Sequence, residues 1–348
     1  MQNEITRSIP LLNSKGHITE EGWARAPLWQ YDRRKIRAPW FRIKEWDYYY
    51  VLSDDLKRGV TLTVSDLGYA GLMALCWLDF EKGTATQMDT IAPFTGGRIT
   101  ASGSEFTPDR SSLRFEDKQL FLQFISDEGT RRLAFKAPGF TGPQGEKGLE
   151  GEIVLSQPPD LESMNIATSW AENRKRFYYN RKITNMPAEG TVTVGNSDYI
   201  FRPEKDSGGL DWGRGAWTYE NRWYWSSASG MHEGSPLGFN LGYGFSDRSP
   251  ASENALFYRN RLHKLSGVSF HFDGSDYTRP WSFNSDDGRI ELSFQPIVDR
   301  ASSVNLLLIR SVQHQVFGRF SGRIRLDDGT GLELKDFLGF AEDVYNRW

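Results

Sequence analysis

The stretch "RIELSF", residues 289–294, alternates polar and apolar side chains with a period of two. In an extended strand Ile290, Leu292 and Phe294 would share one face, and the polar residues between them would share the other. The same alternation recurs, between turn-forming residues, at 192–194, 268–272 and 320–326. Short alternating runs separated by turns predict antiparallel β-barrels or sandwiches rather than alternating strands and helices.

Two helices are predicted within this β framework. In "LELKDFLGFAEDVYNRW", residues 332–348, Phe337, Ala341 and Val344 fall on one helical face, which predicts a C-terminal helix packed against a barrel. A shorter helix is predicted in "TEEGWARAP", residues 19–27, where Thr19 would cap the first turn.

The length of 348 residues predicts two domains or one unusually large β domain. Glycine recurs every third residue in "GFTGPQGEKGLEGE", residues 139–152, but five triplets cannot hold a collagen helix alone, so a flexible loop between two strands is predicted. The following segment, residues 155–177, has few strand signals and contains a Pro-Pro pair. We therefore expect an N-terminal domain over 1–175 and a C-terminal domain over 176–348.

Composition excludes several classes of partner. The net charge of −3 provides no basic field for a phosphate backbone, so nucleic acid is not expected. The longest apolar run, residues 71–80, is roughly half of the ~20 residues that a membrane-spanning helix needs, and it indicates a buried strand. The first 17 residues lack a secretory pattern, which predicts a cytoplasmic protein. The single cysteine, Cys76, excludes an internal disulfide and has apolar neighbours typical of a buried, inert thiol.

Motifs for cofactors, metals and nucleophiles are absent from the sequence. There is no phosphate-binding G-x-x-x-x-G-K-[ST] loop, no dinucleotide fingerprint and no G-x-S-x-G elbow. The five histidines are scattered without metal-ligand spacing. Neither a cofactor nor a metal is therefore expected. His314 is interpreted either as a general base or as a hydrogen-bonded strand residue.

The stretch "LDWGRGAWTYENRWYWSSASG", residues 210–230, is the strongest candidate for a site. An extended strand would place the odd-numbered members of its second half on one face: Trp217, Tyr219, Asn221, Trp223 and Trp225. Indole, phenol and amide groups that are buried need hydrogen-bond partners, either from the protein or from a ligand. The stretch is therefore either core or the wall of a ligand site.

Upstream in this stretch, Asp211 and Arg214 flank Trp212 and Gly213. A carboxylate and a guanidinium at this spacing either pair structurally or hold a polar ligand together. A second group combines hydrogen-bonding side chains with aromatic residues, as small-molecule pockets do. Its members are Tyr178, Tyr179, Asn180, Lys182, Asn185, Asn240, Tyr243, Glu253 and Asn254.

The residues resemble the uncharacterised bacterial family catalogued as domain of unknown function 2804. The resemblance covers nearly the whole chain and is carried by "EEGWARAPL", "KEWDYYYV", "SDLGYAG", "YYNRKITNMPAEG", the 210–230 stretch, "GFNLGYGF", "ENALFY", "HQVFGRFSG" and "LDDGT". More distantly, Asp211-Trp212-Gly213-Arg214 and Trp223-Tyr224-Trp225 resemble motifs of the two-barrel, lipocalin-related proteins that include carotenoid 1,2-hydratases and polyketide cyclases. The resemblance implies a mainly β fold of two antiparallel calycin-like barrels, with a ligand in their mouths or at their junction.

Three functions follow from these observations. The first is a small-molecule enzyme of hydratase, cyclase or isomerase type, in which Asp211 transfers a proton and Trp217, Trp223 and Trp225 stabilise a developing cation. The second is carbohydrate processing or binding, with Asp211 and either Glu253 or Asp299 as the carboxylate pair. The third is a non-catalytic lipocalin-like carrier. All three require a small-molecule ligand, and none predicts an oligomeric state.

Overall fold

The computed structural model describes residues 2–99, 111–127 and 129–348, and these residues are mainly β. Two large antiparallel sheets carry most of the strands, and a short parallel pair, β1 and β3, lies beside them. The predicted β class is therefore confirmed. The elements outside the second sheet and before residue 217 are β1 (Ile9–Pro10), β2 (Gly22–Ala24), β3 (Trp29–Gln30), two 3-10 turns (Arg33–Lys35 and Trp40–Arg42), β4 (Ile43–Ser53), β5 (Arg58–Asp66), β6 (Ala70–Asp79), β7 (Thr84–Pro93), β8 (Ser111–Glu116), β9 (Phe121–Asp127), β10 (Thr130–Thr141), β11 (Lys147–Ser156), β12 (Met164–Trp170), β13 (Asn173–Val194), β14 (Ser197–Phe201) and β15 (Ser207–Ala216).

The first sheet runs in the order β7-β6-β5-β4-β15-β13-β11-β10-β9-β8, with β12 and β14 paired to β13 and with β2 paired to β12. Its central strands are buried on both faces. In β4, Tyr49 and Val51 face the core of this sheet, whereas Tyr48, Tyr50 and Leu52 face away from it. Aromatic and β-branched residues fit such a two-sided environment.

The second sheet runs in the order β19-β18-β17-β16-β24-β23-β22-β21-β20, and its own core is rich in phenylalanine. Its strands are β16 (Glu220–His232), β17 (Ser235–Tyr243), β18 (Ala255–Tyr258), β19 (Arg261–Lys264), β20 (Val268–His271), β21 (Trp281–Ser285), β22 (Ile290–Leu306), β23 (Ile309–Arg325) and β24 (Gly331–Arg347). The alternation at 289–294 lies at the start of β22, where Ile290, Leu292 and Phe294 are buried in this core.

The predicted C-terminal helix is wrong. Residues Gly331–Arg347 form β24, which pairs with β16 on one side and with β23 on the other. Phe340, Ala341 and Glu342 are buried in succession, because both faces of this strand are covered. Apolar residues on both faces of a strand imitate the spacing of a helical face, which explains the error.

The structure also differs from the sequence-based predictions at residues 19–27 and 139–152. The predicted helix at 19–27 contains strand β2 instead, whose three residues are all buried. The glycine-rich stretch belongs mostly to β10 and β11, which pair as an antiparallel hairpin with a register shift between Ala137 and Thr141. The loop between them is therefore confined to a few residues around Gly145.

The chain passes from the first sheet to the second between Ala216 and Glu220. Residue 175, where we expected the domain boundary, lies inside β13, a strand of the first sheet. Cys76 is buried, and this burial raises the pKa of its thiol. None of the described helices is long and apolar enough to span a membrane.

Candidate active site at the junction of the two sheets

Two rows of side chains face each other where the sheets meet. In the first sheet, Asp211 of β15 lies between Tyr48 of β4 and Lys182 of β13, because these residues are register partners. In the second sheet, a row crosses four neighbouring strands in register: Trp225 of β16, Glu342 of β24, Gln315 of β23 and Arg300 of β22. The pleat places each row on one face of its sheet.

The centre of the junction is a buried ion pair. Lys182 Nζ lies 2.8 Å from Asp211 Oδ2 and 3.9 Å from the centre of the Trp225 ring. Asn180 Nδ2 donates a hydrogen bond of 2.5 Å to the other carboxylate oxygen, Asp211 Oδ1. Paired charges that also have hydrogen bonds are the form in which ions are tolerated in a protein interior. Lys182 therefore presents a fixed positive charge, held against one aromatic face.

Glu342 is the unusual member of this group. Burial raises its pKa to about 8, and the charges of Asp211 and Glu253 act in the same direction, while Lys182 and Arg300 oppose the shift. Its Oε2 atom is buried and has no hydrogen-bond partner among the described residues. At neutral pH the side chain is therefore mainly a protonated acid with an unused oxygen, which is the state a proton donor requires.

A chain of hydrogen bonds links the ring of Trp225 to Glu253. Trp225 Nε1 donates to Asn240 Oδ1 at 2.7 Å, and Asn240 Nδ2 donates to the Glu253 carbonyl at 2.9 Å. The carboxylate of Glu253 in turn accepts a hydrogen bond of 3.1 Å from the Tyr178 hydroxyl. Burial, together with the charges of Glu253 and Asp211, raises the pKa of Tyr178 well above its ordinary value, so the phenol remains a donor.

Two tyrosines of β4 connect the sheets directly. Tyr48 donates to Gln315 Oε1 at 3.2 Å, and Gln315 Oε1 also accepts a 2.7 Å hydrogen bond from Arg300 Nη1. The Tyr50 hydroxyl lies 2.8 Å from Ser227 Oγ of β16. These contacts fix the distance between the two rows.

Aromatic rings line one side of the junction and form what we call the aromatic wall. Trp217 lies at their centre, with ring centres between 5.3 and 5.7 Å away for Trp46, Trp170, Tyr178, Trp223 and Phe245. Most of these pairs meet edge to face, the geometry that aromatic quadrupoles favour. The Trp217 indole nitrogen is buried and has no hydrogen-bond partner among the described residues. Tyr178 connects this aromatic wall to the buried carboxylate of Glu253, and Trp223 lies two positions before Trp225 on β16.

Gly213 makes room for part of this wall. A Cβ atom at Gly213 would lie 2.1 Å from Cζ2 of Trp46, so only glycine lets that ring lie against β15. At Gly209, four residues earlier, a Cβ atom would lie 2.3 Å from Cζ of Tyr50. Glycines in and beside the 210–230 stretch thus position aromatic side chains of β4.

The structure brings together nine of the residues singled out from the sequence and separates others from them. The assembled residues are Tyr178, Asn180, Lys182, Asp211, Trp217, Trp223, Trp225, Asn240 and Glu253. Trp212 and Tyr179 belong to the core of the first sheet, where Tyr179 donates to the Trp29 carbonyl. Tyr219 is partly exposed and donates to the Leu308 carbonyl, and Asn221 bonds only weakly, at 3.5 Å, to the Thr218 carbonyl.

Arg214 does not pair with Asp211. Arg214 Nη2 lies 2.7 Å from Asp47 Oδ1, and its guanidinium lies above the Trp212 ring, on the inner side of the first sheet. Residues 211 and 214 differ in parity, and successive residues of a strand point to opposite faces. Of the two alternatives that the sequence left open, the structural pairing of Asp211 with Arg214 is therefore not formed, and Lys182 is the ion-pair partner of Asp211.

Sequence reasoning missed Glu342, Tyr48 and Arg300. Glu342 falls in the segment predicted as a helix, although an acidic pair inside the apolar run "FLGFAEDVY" is a usable signal of a buried functional carboxylate. Arg300 and Tyr48 reach the junction only through strand register. No group of three or more His, Cys, Asp and Glu residues in the described ranges is arranged to hold a metal ion.

Two surface clefts lie away from the junction. One, of about 450 Å³, is lined by residues of 89–91 and 117–119, and the other, of about 330 Å³, lies beside Arg289 and Arg323. Neither is lined by the residues of the two facing rows. At the junction itself, Lys182, Asp211, Trp225, Gln315 and Glu342 are all buried.

Two large antiparallel sheets that meet at a polar junction define the class of two-sheet, mainly β proteins. The family described as Domain of unknown function (DUF2804) matches residues 2–348, so the chain belongs to that family. No curated protein sequence matches the chain.

Solved structures share the fold over most of their length. The protein NE1406 from Nitrosomonas europaea, provisionally assigned as AttH, is 14% identical, with 87% of this chain and 92% of that chain covered and a TM-score of 0.54. CghA is 12% identical, with 87% of each chain covered and a TM-score of 0.53. CghA with Sch210972 is 11% identical, with 88% of each chain covered and the same TM-score of 0.53. At such identities the similarity establishes the fold alone.

Proposed function

We propose that the protein is a small-molecule enzyme of hydratase, cyclase or isomerase type, and that its chemistry takes place at the junction. The observation that carries this proposal is Glu342, a buried acid with a pKa of about 8 and an unpartnered oxygen. It lies beside a fixed ammonium group and an aromatic wall. This combination suits protonation of an electron-rich carbon in a site that excludes water.

In the proposed reaction, Glu342 donates its proton to one carbon of a carbon-carbon double bond. The neighbouring carbon becomes cationic, and the faces of Trp217, Trp223 and Tyr178, which do not carry the Lys182 ammonium group, stabilise that charge. The carboxylate left on Glu342 is stabilised by Lys182, whose charge already acts on it. Capture of water, followed by loss of a proton from the added water, gives hydration. Attack by a second double bond moves the positive charge to that bond, and loss of a proton from an adjacent carbon then completes cyclisation. Loss of a different proton from the first cation gives isomerisation. In each case the released proton returns to Glu342.

This proposal moves the proton-transfer role from Asp211 to Glu342. Asp211 is occupied on both oxygens, by Lys182 and by Asn180, and therefore serves to orient the ammonium group. Glu253 is coupled to Tyr178, which places a second buried acceptor on the aromatic side of the junction. The half-buried Trp46 and Trp223 pack against the cluster that contains Trp225 and are the side chains a substrate would meet first. CghA, which shares this fold, has been solved with Sch210972, which is in keeping with a ligand-binding role for the fold.

Deuterium labelling tests the proposal across a range of candidate substrates. The purified protein is incubated in D₂O with a panel of unsaturated isoprenoid and polyketide-like compounds, and the products are analysed by mass spectrometry. Isomerisation or cyclisation by protonation places one solvent deuteron on carbon, and hydration adds the elements of D₂O. Glu342→Gln should abolish the mass change in any active compound.

Glu333→Gln is the matched control, because Glu333 is an exposed carboxylate on the same strand. A compound labelled equally by wild type and by Glu342→Gln would contradict the assigned role of Glu342. Binding without label in every compound would favour the carrier function instead.

A further inference from the structure

The second sheet carries another polar cluster directly behind the junction. Tyr224, Asp343 and His314 are register partners on β16, β24 and β23. Each is adjacent in sequence to a residue of the row at the junction. Tyr224 precedes Trp225, His314 precedes Gln315, and Asp343 follows Glu342. Successive residues of a strand point to opposite faces, so this row faces the interior of the second sheet.

A histidine-carboxylate pair lies at one end of this interior row. His314 Nδ1 is 2.7 Å from Asp299 Oδ2, and both side chains are partly exposed. The His314 ring stacks on Tyr277 with a centre separation of 3.8 Å and an angle of 7°. Its Nε2 atom makes no hydrogen bond among the described residues, and the buried Oδ1 of Asp299 has no partner among them either. A carboxylate on Nδ1 leaves the opposite nitrogen available to a ligand.

A second polar group adjoins the first through Tyr277. The Tyr277 hydroxyl donates to Asp343 Oδ2 at 2.7 Å, and the guanidinium of Arg222 also binds this carboxylate through two nitrogens. Asp343 is buried, whereas the Arg222 side chain is 48% exposed. Arg222 is thus oriented by a buried partner while its outer N–H groups face solvent.

Half-buried aromatic rings form the floor between these groups. Tyr224 and Tyr243 lie 4.8 Å apart, and Phe272 lies 6.0 Å from Tyr224 and 5.5 Å from Tyr277. These rings cap the second core and are not covered by a further layer of the described fold. Half-buried aromatic faces beside oriented donors and acceptors are a combination that small-molecule sites use.

We propose that this cluster is a second ligand site, separate from the junction, and that it binds a neutral sugar ring. Arg222 is neutralised by Asp343, and His314 is paired with Asp299, so the cluster has no excess positive charge to select an anion. Aromatic faces stack on the C–H face of a pyranose, while Arg222, His314 and Asp299 meet its hydroxyl groups. Asp211, which the sequence analysis considered as a carboxylate partner of Asp299, belongs to β15 of the first sheet and pairs with Lys182 at the junction, whereas Asp299 pairs with His314 in the second sheet.

Saturation-transfer NMR on the full chain tests this site. The probes are methyl α- and β-glucopyranoside, methyl β-galactopyranoside, and tetrahydropyran-2-methanol, which has a similar ring without the ring hydroxyls. We expect transfer to at least one glycoside and little transfer to the tetrahydropyran. His314→Ala and Tyr277→Ala should each reduce the glycoside signal by about fivefold or more, which is the scale of one lost stacked or hydrogen-bonded contact.

Gln313→Ala is the matched control, since Gln313 adjoins His314 in β23 but points to the other face. Tyr277→Phe and His314→Gln keep the local packing and replace the alanine variants if those do not fold. Glu342→Gln should retain the glycoside signal, which distinguishes failure at this site from failure of the junction chemistry.

The proposal is overturned if wild type shows no transfer to any glycoside, or if tetrahydropyran-2-methanol receives transfer equally. It is also overturned if folded His314 and Tyr277 variants retain the full signal, or if Gln313→Ala loses it as they do.

Discussion

Asp211 and Arg214 lie on opposite faces of β15, and each forms an ion pair with a different neighbouring strand. Asp211 contacts Lys182 of β13 at the junction, whereas Arg214 contacts Asp47 of β4 on the inner side of the first sheet. The sheet thus separates two buried ion pairs, although their members on β15 are only three positions apart in sequence. Only the pair on the outer face is positioned to act on a ligand at the junction.

Removal of Lys182 should destabilise the protein strongly. Lys182→Met leaves the Asp211 carboxylate buried and without its cation, and breaking a buried pair in this way costs about 3–5 kcal/mol. Adding Asp211→Asn should recover much of the loss, because the uncompensated charge is then gone. Denaturant unfolding of the two single variants and the double variant measures this coupling. The exposed pair Lys205 and Asp55, 3.0 Å apart, is the control, and its variants should unfold almost like wild type. Additive losses at 182 and 211 would contradict the coupling.

Glu342→Gln should change how stability depends on pH. The pKa of Glu342 is about 8 in the folded protein against an ordinary value of 4.5, so between these values the folded state holds more protons than the unfolded state. The wild-type free energy of unfolding therefore has a contribution that falls as pH rises through this window, by up to about 1.4 kcal/mol per unit. Glutamine does not titrate. The stability of Glu342→Gln relative to wild type should rise from pH 5 to pH 8 and then level off.

Urea unfolding at each pH unit from 5 to 9 measures this difference. Glu333→Gln, on the exposed part of β24, should give a curve parallel to wild type. A Glu342→Gln curve that is also parallel to wild type would show that the carboxyl group titrates normally.

Gly213→Ala should disturb the aromatic wall. The new methyl group would overlap the Trp46 ring, so either the ring or β15 must shift, at a cost of about 1–3 kcal/mol. Thermal unfolding and near-UV circular dichroism, which reports the packing of tryptophan, should both change. Gly274→Ala is the control, since nothing lies within 4 Å of its added Cβ. Unaltered stability and spectrum in Gly213→Ala would show that Trp46 is not held by this contact.

Tyr50→Phe should weaken the connection between the sheets. It removes a buried hydroxyl 2.8 Å from Ser227 Oγ, and a hydrogen bond of this kind is worth about 1 kcal/mol. Tyr345→Phe removes an exposed hydrogen bond to Glu220 and should leave unfolding unchanged. Equal midpoints for wild type and Tyr50→Phe in denaturant would mean that Ser227 finds another partner at no cost.

The β class of the fold follows from local alternation, and the structure confirms it in strands such as β22. Strands that are buried on both faces lack this alternation, and for that reason the sequence of β24 imitates a helix. The alternation of side chains along a strand, which places Trp223 and Trp225 on one face, also places Asp211 and Arg214 on opposite faces. The sequence alone could therefore have predicted that Asp211 and Arg214 do not pair.

The ion pair between Asp211 and Lys182 could not be predicted from the sequence. It depends on the register of β13 against β15, and a shift by one residue would turn Lys182 away from the junction. The raised pKa of Glu342 likewise depends on charges from three other strands and on the loop before β18 that carries Glu253. Such features arise only from long-range pairing, which a single sequence does not contain.

The position of β24 has a consequence for folding. In the sheet it lies between β16 and β23. Its pairing with β16, from Glu220 with Arg347 to Ala228 with Gly339, joins the first and the last strand of the second sheet in sequence order. Contacts between residues so distant along the chain form slowly, and until they form the edge of β16 is open, with Trp223 and Trp225 beside it. A nascent chain therefore passes through an interval in which an aromatic strand edge is exposed to other chains. The strand that supplies the acid of the junction thus also completes the most non-local contact of the second sheet.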